Sequence, residues 1–525
     1  MERLLNIYSD LSTKLVSKSP TGRQQKISIA SAVTLVLFYF VRKAVTPPAH
    51  LRHLPYVGIF TFLNAFIRRK LISDISSDIT LPVAMKDPSG IYARYDQSGW
   101  TVHITRPESA KKLLLKADIF AKATVGEVRG NTLIGRFLFQ RNILMLNGHE
   151  WRSQRKVANP AFHRSMPVEL FGKLVQKVIH VIDQAESDTV NFHQMTERFA
   201  LDAIGLAGFD FDFHAIDDPN SEWVIRYRDI RNAIINPWFL VFHNLDVKFR
   251  FLFPGRMKMH REMDVFLGMM DQVIAHKRQI LSKQESKVPE SERDLLTLMI
   301  EAENSGEGTM TNEELRSNLC LFFVAGHDTT ANSIAYIAYY LAINPDIQSK
   351  AREEVINILG DEPQDVLPTL EQTREFPYIN MIIKETLRIS PPVARVVTRE
   401  AQEDTELGGK FIPKGTKTVL DIYELQHNPT VWKDPNTFRP ERFAPGGEAE
   451  ELAQLGMSWI PFSNGQRQCI GMGFSLAEQR VFLPMLLRKY EWYLPKDSIH
   501  KEKLQTKGTN VVRPKELLIT FKRRY

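Results

Sequence analysis

The chain has little cysteine: only Cys320 and Cys469 occur in 525 residues. That excludes a disulfide framework and sets the folded part in a reducing compartment. It also lacks a Gly-x-Gly-x-x-Gly stretch after a strand-like run and a P-loop, so it carries no nucleotide-cofactor site of its own. Zinc-finger, RNA-binding and basic-zipper signatures are absent. The formal net charge of +7 therefore points to a membrane surface or an anionic protein partner, not to nucleic acid. Beyond residue 50 there is no repeat, low-complexity block or Pro/Gly/Ser-rich linker. The most polar break, Ser282 to Asp294, reads as one exposed loop.

A fully apolar span of about 20 residues is missing too. The nearest is ISIASAVTLVLFYFV, Ile27 to Val41, with Lys26 before it and Arg42 and Lys43 after. It reaches across a bilayer only if Ala44 and Val45 count and the basic residues snorkel. It begins late and has no clear small-residue cleavage site, which disfavours a signal peptide. Residues 1–45 are thus expected to be an N-terminal segment with an uncleaved anchor over about 27–45. Lys14, Lys18, Arg23 and Lys26 lie upstream and leave its orientation open. Residues 46–55, with TPPAH at Thr46 to His50, read as a stiff hinge, and 56–525 as one domain.

Helical periodicity dominates that domain. Asn147 and Glu150 have box-like capping spacing and open a helix carrying Trp151, Arg155 and Lys156. Thr311 and Glu314 form a second box, for a helix running ~50 Å to Asn344-Pro345. Another carries YINMIIKETLRI and ends at Pro391-Pro392. Strand-like stretches are few, at 101–105, 417–422 and 516–521. The pattern predicts a mostly α protein with small β-sheets.

Four groups of residues carry chemistry. In PFSNGQRQCIGMG, Cys469 offers a soft thiolate suited to iron. Gly465 and Gly471 allow close folding around it, and amides at a following helix N-terminus stabilise its charge. Arg467 stands two residues before, and Phe462 offers a ring to a flat macrocycle. Cys320, in an apolar helical run, reads as a small buried hydrophobe. In AGHDTT, Ala325 to Thr330, a mid-helix glycine costs roughly 1 kcal/mol. There the Thr329 hydroxyl can bond back to the Ala325 carbonyl, opening a local groove. In KETLR, Glu385 and Arg388 share a helix face and can pair. In WRSQR, Trp151 and Arg155 present an indole N–H and a guanidinium on one face.

FSNGQRQCIG resembles the ligand loop of the cytochrome P-450 haem-thiolate monooxygenases, with Phe462, Gly465, Arg467, Cys469 and Gly471 at the family's spacing. The other three motifs stand in the family's order, and the resemblance runs from about Pro47 to the end. Gln466 departs from the proline that is frequent there. The resemblance implies the cytochrome P-450 fold and haem b with Cys469 as axial ligand. It places Trp151, Arg155, Ala325, Arg399, Phe462, Arg467 and Gly471 at the haem. Asp328 and Thr329 would deliver protons to bound dioxygen, and Glu385, Arg388 and Arg442 of PERF would form a structural triad. His327, at a variable position, is not read as a metal ligand.

The implied reaction inserts one oxygen atom from O2 into a lipophilic steroid, fatty acid or xenobiotic. Electrons would come from NADPH-cytochrome P-450 reductase, with cytochrome b5 as a possible second donor, docking on Arg152, Lys156, Arg488 and Lys489. The implied location is the endoplasmic reticulum membrane, with a single N-terminal anchor and the catalytic domain in the cytosol. Pocket walls are expected from about Phe120 to Phe137, from Asn232 to Phe242, and from Val393 and Val397. Two alternatives stay open: an O2-independent peroxide isomerase or dehydratase, which often lacks the acid–alcohol pair present here, and a non-enzymatic haem-thiolate binding protein.

Overall fold

Apolar residues at helical spacing bury themselves by helix-on-helix packing, and helices accordingly make most of the structure. The computed structural model describes residues 22–96, 98–124, 127–283, 288–306 and 308–525. Its longer helices are α1 (Gly22–Val45), α2 (Ile59–Ile67), α3 (Gly148–Arg164), α4 (Val168–Asp183), α5 (Phe192–Phe209) and α6 (Glu222–Ile234). They continue as α7 (Pro254–Leu281), α8 (Asn312–Ile343), α9 (Pro345–Leu359), α10 (Pro377–Ile389) and α11 (Met472–Lys489). A six-stranded sheet orders Tyr56–Val57, Ile91–Asp96, Gly99–Ile104, Lys417–Leu420, Arg399–Ala401 and Phe120–Lys122 from edge to edge. Ile91 faces Ile104 in its antiparallel hairpin, and Thr101 pairs in parallel with Lys417. A three-stranded sheet joins Tyr490–Tyr493, Leu518–Arg523 and Thr189–Asn191.

Helix α8 organises the core. The Thr311–Glu314 capping box forms, and 32 residues follow without a break to Asn344. Nearly every residue from Ser317 to Phe323 and from Thr330 to Leu341 is buried. Ala325 is exposed between these two buried stretches. Helix α5 crosses closely at Gly326, where an added Cβ would sit 3.0 Å from Ile204 Cδ1. The glycine therefore serves helix packing, and the open side belongs to Ala325 and Thr329.

Two sequence expectations change in the structure. Asn147 does precede α3, but its side chain does not cap it. The Asn147 carboxamide instead accepts from the Lys122 amide (3.0 Å) and donates to the Lys122 carbonyl (2.9 Å). Helix α1 forms with Ile29, Val33, Leu35, Val36, Phe38 and Val41 exposed. No helix among the described residues, however, is long and apolar enough to cross a membrane. The basic residues at both ends leave too short an apolar stretch. Lys14 and Lys18 lie outside the described residues, as do residues 284–287 of the polar loop.

Candidate active site

The loop before α11 is tight. The Cys469 amide donates to the Phe462 carbonyl at 2.9 Å, and both Ser463 and Gly465 take left-handed backbone angles. At Gly465 a Cβ would lie 2.9 Å from the Leu114 carbonyl oxygen, so only glycine seats the loop against that neighbour without strain. Phe462 is half-buried beside Trp459. Cys469 precedes the N-terminus of α11 and its sulfur receives the Gly471 amide. By accessible area Cys469 is exposed. Protein nevertheless surrounds it so closely that burial pushes its thiol up, against the opposite pull of the Gly471 amide and Arg155. Both facts hold if the sulfur faces an internal hollow. Cys320 is buried in α8, and burial pushes its thiol up to about 12, as suits an inert packing residue.

Around this loop cations gather. Arg155 donates to the Gln468 carbonyl at 3.1 Å and to Asn159. Arg467 donates to the Leu146 carbonyl at 2.7 Å and to Asn147, and its guanidinium stacks 4.0 Å from the Trp151 ring centroid. Arg399 is buried and donates through Nη1 to the Leu113 and Phe120 carbonyls. Among the described residues its Nε and Nη2 have no hydrogen-bond partner, and neither does the buried Trp151 Nε1. Burial, with Arg399 and Arg155 nearby, lowers the Arg467 guanidinium to about 10. Burial alone lowers Arg399 to about 10. Lys122 joins them, its ammonium pushed well down by burial and by Arg399 and Arg467.

No carboxylate among the described residues offsets these shifts. Buried cations with orphaned donors are costly unless an anion completes them. A dianionic macrocycle fits that deficit. Among the described residues, no group of three or more His, Cys, Asp or Glu is placed to hold a metal. Iron at Cys469 would therefore need the macrocycle's own nitrogens, and the residues present fit a haem. Lys122 was missed in the sequence: a lysine at a strand end carries no local sign of burial.

The other wall is α8. Thr329 Oγ1 donates to the Ala325 carbonyl at 2.7 Å, and Thr330 Oγ1 meets Ser475 Oγ of α11 at 3.0 Å. Phe162 of α3 stacks edge-on against Phe322 of α8 and Phe474 of α11. Ala325 and Cys469 thus lie on elements that touch. Asp328 is not a free acid. Arg231 of α6 reaches its Oδ1 at 3.0 Å and Glu197 Oε1 at 2.8 Å, and His327 Nδ1 lies 3.1 Å from the same oxygen. Burial would raise its pKa. The hydrogen bond and charge of His327, with Arg231 and Arg513, hold it instead well below the carboxylate range. The buried His327 faces Tyr227 and the Glu197 carbonyl.

Glu385, Arg388 and Arg442 come together with no exposure. Glu385 accepts from Arg388 Nε at 2.7 Å and Nη2 at 2.9 Å, and from Arg442 Nε at 3.2 Å. The Arg439 amide adds a fourth bond at 3.0 Å. Arg442 also pairs with Glu448. One expectation fails here: Arg488 cannot line a docking face. It is buried, with its donors spent on the Gly360, Glu362 and Gln364 carbonyls. Arg152 and Lys156 are exposed, and Lys489 is paired with Asp365.

Comparison with known proteins agrees with this geometry. The family model "Cytochrome P450" matches residues 83–521. Cytochrome P450 4A6 of Oryctolagus cuniculus is 32% identical over 359 residues, 66% of this chain and 68% of that protein. Cytochrome P450 4A11 of Homo sapiens is 32% identical, over 66% and 67%. Taurochenodeoxycholic 6 alpha-hydroxylase of Sus scrofa is 31% identical, over 66% and 69%. The crystal structure of the cytochrome P450DA heme domain superposes with a TM-score of 0.73, covering 90% of this chain and 98% of that one, at 22% identity. That likeness shows the fold. By sequence and by fold, the chain belongs to the cytochrome P450 family and is a haem-thiolate monooxygenase.

Proposed function

We propose that the chain hydroxylates a lipophilic substrate at a membrane surface, using haem b held by Cys469 and electrons from an NADPH-dependent reductase. The observation that carries this is an exposed thiol ringed by the half-buried Arg155, Arg467 and Lys122 and the buried Arg399, cations that no carboxylate among the described residues offsets. Trp151, Arg155, Arg399, Arg467 and Lys122 would hold the propionates, and Cys469 the metal. Bound there, the haem supplies the activation of O2, with a thiolate ligand that favours O–O cleavage.

The chain's own residues position and protonate. Ala325 keeps α8 thin over the hollow. The Thr329 hydroxyl, donating to the Ala325 carbonyl, is the group on the open side that can accept one proton and pass another. Asp328 supplies protons only when it leaves Arg231, because a carboxylate fixed in two polar contacts has none to give. Phe137, Tyr227 and Phe266 pack with Phe323 of α8 in edge-on and tilted contacts, an apolar cluster that backs the helix on its closed side.

Two apolar surfaces support membrane contact. Phe60, Leu63 and Ile67 stand out from α2, and Trp238, Phe242, Phe251 and Leu252 from the segment after α6. With α1 as the anchor, they set the domain on the cytosolic face of the endoplasmic reticulum, where lipophilic substrates enter from the bilayer. The exposed Arg152 and Lys156 suit an acidic electron donor, a reductase or cytochrome b5. The test is reconstitution of the holoprotein with NADPH-cytochrome P-450 reductase in vesicles against a lipophilic panel under ¹⁸O2. One labelled oxygen per product is expected. Turnover of hydroperoxides without NADPH would replace this reading with isomerisation. No NADPH use with any member would replace it with a binding role.

A further inference from the structure

Asn147 stands where several segments meet. It precedes α3, and its residue type and place suit a helix cap, yet its side chain makes no cap hydrogen bond. It reaches outward instead. Asn147 Oδ1 accepts from the Lys122 amide at 3.0 Å, and Nδ2 donates to the Lys122 carbonyl at 2.9 Å. That is the reciprocal pair of bonds a neighbouring antiparallel strand would make. Oδ1 also accepts from Arg467 Nη2 of the ligand loop at 3.1 Å. The Asn147 carbonyl accepts from the Trp151 amide at 3.3 Å, and Lys122 is paired across the sheet with Arg399. Lys122, Arg467, Trp151 and Arg399 are all proposed propionate donors, and they converge on this one residue.

The cations it joins do not hold each other. Burial, then the charges of Arg399 and Arg467, push the Lys122 ammonium well down. No carboxylate among the described residues acts on Lys122 or Arg467 to relieve the repulsion. A neutral carboxamide accepts and donates at once, so it ties the two together without discharging them. An aspartate in its place has no N–H for the Lys122 carbonyl, and its charge would cancel part of what an incoming anion needs. A serine can cap α3 as asparagine can, but it has a single oxygen where the carboxamide uses two atoms.

We infer that Asn147 is a positioning residue of the cofactor site: it fixes Lys122 and Arg467 side by side as a preformed anion cradle, and through them governs how tightly haem is held and at what potential it is reduced. This inference rests on the proposed placement of the propionates.

The test compares holoprotein of the parent, Asn147→Ser, Lys122→Met and the double variant. Haem transfer to excess apomyoglobin, the haem reduction potential and thermal unfolding of the haem-free chain are measured. Outer groups that orient the direct ligands of a bound metal typically contribute about 10- to 100-fold in affinity. Asn147→Ser should lose haem faster by roughly that factor. Its potential should fall, because displaced cations no longer favour the more negative reduced haem. Its haem-free stability should stay near the parent, since serine caps as well as asparagine. Lys122→Met should also lose haem faster, and the double variant should fall well short of the product of the two effects, as for residues that act through one another. Parental haem retention in Asn147→Ser overturns the inference and leaves Asn147 a helix cap. Effects that simply multiply in the double variant, unchanged haem loss in Lys122→Met, or faster loss at an unchanged potential overturn it as well. If Asn147→Ser does not load haem, Asn147→Asp decides: it should load haem at a potential below the parent's, and a parental potential overturns the inference. The red-shifted band of the reduced carbon monoxide complex keeps the two readings apart. With the band present in the parent, these failures concern Asn147 and its cradle alone; without it, the haem-thiolate assignment itself falls.

Discussion

Replacing Trp151 with phenylalanine separates a cofactor contact from a packing contact. Trp151 is 7% exposed and its indole N–H is buried without a partner among the described residues. In the haem-free chain that donor is a liability, since an unsatisfied buried group costs about 1–3 kcal/mol. The Trp151→Phe substitution removes it. Against that stand a smaller ring in the same place and a weaker platform for the Arg467 guanidinium, now 4.0 Å from the Trp151 centroid; cation–π contacts of this kind contribute about 0.5–2 kcal/mol. The terms oppose each other, and the stability of the haem-free chain should change by no more than about 1–2 kcal/mol. The haem-loaded chain has no such compensation. If Trp151 donates to a haem propionate as proposed, it would lose a hydrogen bond to a charged group, about 1.5–3 kcal/mol, or roughly 10- to 100-fold in haem affinity. The assay is haem transfer to excess apomyoglobin, followed optically, beside thermal unfolding of the haem-free variant. Faster haem loss with near-parent stability is the expected pair of results. Unchanged haem loss with a strongly destabilised haem-free chain would make Trp151 a core residue and refute the placement of the propionates.

Cys469→Ala should abolish the red-shifted absorption of the reduced carbon monoxide complex, and Cys320→Ala should leave it intact; the opposite pattern would move the ligand. Glu385→Ala strands two buried guanidiniums, at a cost of about 3–5 kcal/mol against a typical total of about 5–15. Haem-free or aggregated protein is expected, and a haem-loaded variant with parental thermal stability would count against the triad. Glu478 is buried in α11, and burial pushes it up to about 8 from an ordinary 4.5, with the Thr330 hydroxyl opposing. The folded chain then holds an extra proton between those values, so its contribution is full below about 4.5 and is lost as pH rises through about 8. Glu478→Gln should flatten this slope and exceed the parent at pH 8 by up to ~5 kcal/mol; parallel stability–pH curves would show that Glu478 ionises freely. Thr329→Ala should keep haem and substrate binding but lower product per NADPH and release more peroxide, by up to the 10²–10⁴ of general-acid assistance. Thr329→Ser should stay near the parent, and equal ratios in all three would remove Thr329 from proton delivery.

What was legible in the sequence is what local chemistry determines. The Thr311–Glu314 box and the Asn344-Pro345 stop bracket α8 because capping and proline act on their own neighbours. The back-bond of Thr329 to Ala325 follows from helix geometry alone. What was not legible depends on who arrives from elsewhere. Asn147 has the right spacing for a cap, but Lys122 and Arg467 compete for its carboxamide from 25 and 320 residues away, and three polar contacts outbid one. Arg488 looks like a surface cation beside Lys489, yet α11 turns it inward to three carbonyls.

Asp328 shows the same limit at the centre of the site. Its motif marks it as an acid, but its charge is held by His327 beside it and by Arg231, 97 residues earlier on α6. That helix leads directly into the exposed apolar stretch around Trp238. A carboxylate paired at 3.0 Å with a guanidinium resists protonation, so a shift of α6 would remove one of the contacts, beside that of His327, that keep Asp328 charged. On the proposed reading, a substrate that displaces the apolar stretch on entering would also draw Arg231 from Asp328. Proton delivery at Thr329, if it has the proposed role, would then follow occupancy of the pocket and tie the consumption of electrons to the presence of something to oxidise.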